Sequence, residues 1–132
     1  MKLAPALALC LAVPAAAQDV GDAMEGAELY ATYCAACHGI EARGDGRMAP
    51  ILTVLPADLT QLSAVNDGTF PSAAVIFQID GRNPILAHGA DMPLFGEFFQ
   101  GYDVALKVET GQPIMTSQPI ADLVAYLMTI QE

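Results

Sequence analysis

Two tracts of this chain are too rich in glycine and proline to be regular structure. Residues 39–68 carry Gly39, Gly44, Gly46, Pro50, Pro56 and Gly68. Residues 84–101 carry Pro84, Gly89, Pro93, Gly96 and Gly101. Both residue types punctuate helices and strands rather than extend them. Connections in compact domains are usually short, and about 30 structureless residues in a row need something to organise them. A large bound cofactor with an apolar surface would do so, because loops can pack on it.

The segments around these tracts read as helices. Asp22-Ala-Met-Glu25 is a capping-box pattern, and Gly26, Leu29, Tyr30, Tyr33, Cys34 and Cys37 follow at helical spacing. A helix is expected over about 22–36. Pro71 to Asp80 reads as a short helix: Pro71 suits a first turn, Val75, Ile76 and Ile79 make a stripe, and Gly81 suits the C-cap. Ser117 reads as an N-cap and Pro119 as a first-turn residue. Leu123, Tyr126, Leu127 and Ile130 then give a helix over about 118–131. Tyr102 to Val108 fits a strand or a helical turn equally well. Strands are scarce, so the expected class is all-α with long loops.

The first 17 of the 132 residues read as a secretory signal peptide, with Lys2, an apolar run from Leu3 to Ala17, and Ala15-Ala16-Ala17 as the cleavage site. That run is shorter than the roughly 20 residues of a membrane span. The expected mature chain is a single domain over 18–132, exported to the periplasm. Cys10 falls in the leader, and a lipoprotein reading of it is disfavoured by Leu9, which is not small. Only Arg43, Arg47, Arg82 and Lys107 then face 15 acids, for a net charge of −11. Such a balance argues against nucleic acid and anionic membranes and is compatible with a basic protein partner.

Two cysteines remain, in Cys34-Ala35-Ala36-Cys37-His38. C-x-x-C-H is the attachment signature of c-type haem. Two thiols three positions apart can each reach one vinyl group, and the next residue can turn its imidazole to the iron. A thioredoxin-like pair would need a βαβ surround, and zinc would need four ligands. A bare disulfide would leave His38 a coincidence.

Taken with its flanks, the sequence resembles the class I c-type cytochromes over nearly all of the mature chain. Gly26-Ala-Glu-Leu-Tyr30 is similar to the family's N-terminal helix, and Asp122-Leu-Val-Ala-Tyr126-Leu127 to the C-terminal helix that crosses it. Gly44-Asp-Gly46 through Ala49-Pro50-Ile51-Leu52 resembles the loop after the haem histidine. There the resemblance implies that the Pro50 carbonyl accepts a hydrogen bond from His38 and that Leu52 covers the haem. Gly89-Ala-Asp-Met92-Pro93 resembles the distal methionine loop. Residues 97–115 have no evident counterpart. The implied fold is a small cytochrome c with crossing terminal helices and loops wrapped round one haem c and its iron.

The sixth iron ligand is chosen from Met24, Met48, Met92, Met115, Met128 and His88. Met128 reads as core, Met24 and Met48 lie too near the attachment site, and Met115 just precedes a helix. Met92 is favoured, because it sits in a Gly/Pro loop before Pro93 and His/Met ligation recurs in electron-transfer haems. Ligation by His88 instead would give a lower potential. Arg82, and less so Arg47, could pair with a haem propionate, since arginine's fork suits a carboxylate. The expectation is a periplasmic one-electron carrier, not an enzyme, exchanging electrons with redox protein partners. The alternatives are a subunit of a larger periplasmic oxidoreductase and a haem protein that binds a gas or peroxide.

Overall fold

The computed structural model describes residues 20–82 and 92–132. The expected leader and His88 lie outside the described residues. Helix α1 spans Ala23–Tyr33. Its N-cap is Asp22, whose carboxylate accepts from the Met24 N–H at 2.8 Å and, more distantly, from Glu25. The helix expected to run on to residue 36 breaks at Cys34, and a separate single turn, α2, spans Ala35–His38. The break is a change of hydrogen-bond ring. The Cys34 carbonyl accepts from both Cys37 and His38, at 3.1 and 2.9 Å, and Gly39 leaves the turn at φ 85°.

The first glycine- and proline-rich tract contains three short 3₁₀ turns, Ala49–Ile51, Leu59–Gln61 and Ala64–Asn66. Helix α3 spans Ser72–Asp80 and ends at Gly81 in the left-handed conformation the sequence implied. Residues 103–117 correct the all-α expectation. Strands β1 (Asp103–Lys107) and β2 (Pro113–Ser117) pair antiparallel, with Ala105 opposite Met115. The cause is visible in the alternation of Val104 and Leu106 with Asp103, Ala105 and Lys107. Leu106 and Ile114 face each other in register and pack on the core.

Helix α4 spans Gln118–Thr129. Ser117 has N-cap backbone geometry, but its hydroxyl caps nothing and is buried without a partner. Pro119, at the second helical position, has no N–H to offer it. Two glycines approach α4 closely, Gly21 just before α1 and Gly26 within it. A Cβ on Gly21 would fall 2.3 Å from the Ala121 carbonyl oxygen, and one on Gly26 would fall 2.0 Å from that of Asp122. The buried Asp122 carboxylate accepts from the Asp22 N–H and the Gln118 amide, each at 2.7 Å, and so ties the two helix starts together. Ile76, Ile120, Leu123 and Val124 fill the centre, and Phe70, Phe99 and Val108 close it.

Candidate haem-binding site

The attachment motif is set at the end of α1 by packing behind it. Tyr30 is buried, its ring lies 5.2 Å from that of Tyr126, and its hydroxyl donates to the Gly39 carbonyl at 2.7 Å. Tyr33 stands edge-on to Phe98 and Phe99, which fixes the residue before Cys34. The carbonyls ending α2 are satisfied from the following loop. Met48 donates to Ala36, Gly46 to Cys37 and Gly44 to His38, at 2.9, 3.1 and 2.8 Å. A Cβ on Gly46 would meet Cys37 backbone at 2.5 Å, so glycine is required for that approach.

Cys34 and Cys37 are unpaired, half-buried thiols on one short turn. Burial, with Cys37 close by, pushes the Cys34 thiol up to about 11, so it is protonated at neutral pH. Burial holds the His38 imidazole below its ordinary value, although its hydrogen bond to a carbonyl opposes this. His38 is therefore neutral at pH 7. Its Nδ1 lies 3.0 Å from the Ala57 carbonyl oxygen, which places the ring proton on Nδ1 and leaves Nε2 as a free donor.

That bond corrects one expectation. Pro50 sits exposed in the 3₁₀ turn Ala49–Ile51, and the acceptor for His38 is Ala57, seven residues further on. The reason is local packing. A Cβ on Gly44 would fall 2.3 Å from the Pro56 carbonyl oxygen, so the 56–57 segment lies directly on the loop that leaves His38. Sequence reasoning could not find Ala57, because a backbone carbonyl acts and the side chain is irrelevant.

Leu52 is half-buried just after that turn. Around it Ile51, Val54 and Leu55 are more than half exposed, an apolar set beside the motif that suits the face of an apolar macrocycle. Met92 is half-buried against the core, and its sulfur receives the Gln78 amide from α3 at 4.0 Å. Arg82 forks elsewhere than expected. Its Nε pairs with Asp80, a further nitrogen donates to the Met115 carbonyl at 3.0 Å, and its plane lies 5.1 Å from the Phe77 ring centroid. It brackets α3 to the hairpin. Arg47 is exposed.

The motif thus offers two free thiols and one neutral imidazole with a fixed tautomer, and Met92 supplies a soft thioether on the second glycine- and proline-rich tract. This is the chemistry that a covalently held iron porphyrin requires. The cytochrome c family profile matches residues 23–131. The chain therefore belongs to the cytochrome c family, whose members carry covalently attached haem c with iron and serve as haem-based electron carriers. Comparison with curated proteins and with solved structures finds no match. Among the described residues, no helix is long and apolar enough to cross a membrane.

Proposed function

We propose that the protein is a periplasmic monohaem cytochrome that passes single electrons between redox proteins. Cys34 and Cys37 would hold the haem through two thioethers, with His38 as its proximal iron ligand and Met92 as the distal one. The observation that carries this reading is the His38–Ala57 bond within the C-x-x-C-H turn, because it fixes the proton on Nδ1 and leaves Nε2 free for a metal, while burial keeps the ring neutral. When bound, haem c supplies an Fe(III)/Fe(II) couple.

The chain's own residues hold that couple in one geometry. Ala57 keeps the His38 ring from turning and strengthens it as a donor. Gln78 directs an amide N–H at the Met92 sulfur. Leu52 and its apolar neighbours exclude water from the face they cover. His38 and Met92 together would leave the iron no open position for substrate, which favours a carrier over a gas- or peroxide-binding protein. The strongly negative charge left after removal of residues 1–17 favours a basic partner. Intact-mass measurement of the exported protein tests the reading. It should show a chain beginning at Gln18 and carrying one haem, and a mass without haem would overturn it.

A further inference from the structure

The bond that orients His38 depends on a segment with no regular structure of its own. Ala57 is followed by Asp58 and a single 3₁₀ turn, Leu59–Gln61. Its nearest tie is the Leu59 N–H, which donates to the Ala42 carbonyl at 2.7 Å. Ala42 itself is fully buried at φ 60°, a left-handed conformation that alanine holds only under constraint. The constraint comes from far along the chain. The Gln131 amide donates to the Leu59 carbonyl at 2.8 Å and accepts from the Ser63 N–H at 2.8 Å. It also donates to the Leu127 carbonyl at 2.7 Å, which fixes it to α4. The Glu132 N–H donates to the Thr60 carbonyl at 3.0 Å. The Glu132 carboxylate takes the Arg43 guanidinium in a two-nitrogen fork, and Arg43 lies in the loop between His38 and Gly44.

We propose that Gln131 and Glu132 are positioning residues for His38, clamping residues 57–63 and the 39–44 loop so that the Ala57 carbonyl stays on Nδ1. The proposal rests on His38 being the iron's proximal ligand. Gln131 is the stronger arm. The Arg43–Glu132 pair is about half exposed, and exposed ion pairs contribute little. The Gln131 bonds are partly buried and bridge three carbonyl or amide groups of two elements. Loosening the clamp weakens the Nδ1–H bond, makes His38 a poorer donor and so disfavours the ferric state.

The test uses haem-loaded protein and reads two properties: exchange of the His38 ring N–H in heavy water, followed by NMR, and the midpoint potential. Gln131→Ala changes no charge. It should speed that exchange roughly tenfold, as expected when a local opening becomes easier, and shift the potential upward. Arg43→Gln, on the weaker arm, should speed the exchange less than Gln131→Ala does. If Gln131→Ala will not load haem, Gln131→Glu keeps an acceptor for Ser63, loses the donor to Leu59 and should show the same faster exchange. Melting that falls while exchange and potential match the parent protein would overturn the clamp and leave the ligand reading standing. A parent protein that carries no haem would overturn both.

Discussion

Gly26 and Tyr126 meet where α1 and α4 cross: a Cβ on Gly26 would fall 2.8 Å from the Cβ of Tyr126 and 2.0 Å from the Asp122 carbonyl oxygen. Backbone cannot yield as a flexible side chain would. Alanine is intrinsically better than glycine in a helix by about 1 kcal/mol, but here the clash dominates. Gly26→Ala should destabilise the protein, and Gly26→Val more so, on the order of 1–3 kcal/mol. Thermal melting of the haem-loaded protein measures this, and an unchanged transition would place the crossing elsewhere.

Tyr30 joins that crossing to the attachment motif, through its ring on Tyr126 and its hydroxyl on the Gly39 carbonyl. Tyr30→Phe keeps the packing and removes one of two hydrogen bonds to the buried Gly39 carbonyl, which still accepts from the Ala42 N–H at 3.2 Å, so the loss should be about 0.5–1.5 kcal/mol. Burial pushes the Tyr30 phenol well above its ordinary value, so alkali should not ionise it before the fold opens. Denaturant unfolding of the variant should show the loss with an unchanged slope.

Acid should loosen residues 58–63 through Asp58. Its carboxylate accepts from the Thr60 hydroxyl at 2.6 Å and the Thr60 N–H at 2.9 Å. The Thr60 side-chain bond is the main reason its pKa lies below the ordinary 3.8, and Arg43 adds to it. The unfolded chain then binds the proton more readily. Asp58 therefore contributes its stabilisation fully above that value and loses it as pH falls through the lower, folded one. Asp58→Asn should flatten the acid limb of the stability profile. An acid limb identical to that of the parent protein would show that other carboxylates control it.

Much of the architecture was legible because its signals are local. Asp22 caps α1, Gly81 ends α3 in a left-handed residue, and the α4 stripe is periodic. What the sequence concealed is non-local. The hairpin needs Leu106 and Ile114 brought into register across a loop. Pro50 offers a carbonyl as good as any, and only the approach of residues 56–57 to Gly44 selects Ala57 instead. Asp80 and Phe77 lie near Arg82 in sequence, but only the fold brings up the Met115 carbonyl, 33 residues on, that completes its tie.

Arg82→Ala should leave the haem environment unchanged and free the hairpin. The Asp80 side chain is only 8% exposed, so removing its cation should cost more than the roughly 1 kcal/mol of a surface pair, with the cation–π contact adding about 1 kcal/mol or less. The melting temperature should fall, and amide exchange around Met115 should quicken. A clear change of midpoint potential would instead assign Arg82 to a haem propionate.

Ligation by His38 and Met92 is read out in the ferric optical spectrum. A thioether on iron gives a sulfur-to-iron charge-transfer band, and being a soft, neutral donor it favours the ferrous state. The parent protein should show this band, Met92→Ala should abolish it and open the iron to carbon monoxide, and Met48→Ala and Met115→Ala should keep it. A band that survives Met92→Ala but disappears with Met48→Ala or Met115→Ala would contradict the assignment. So would a parent protein without the band whose spectrum changes only with His88→Ala.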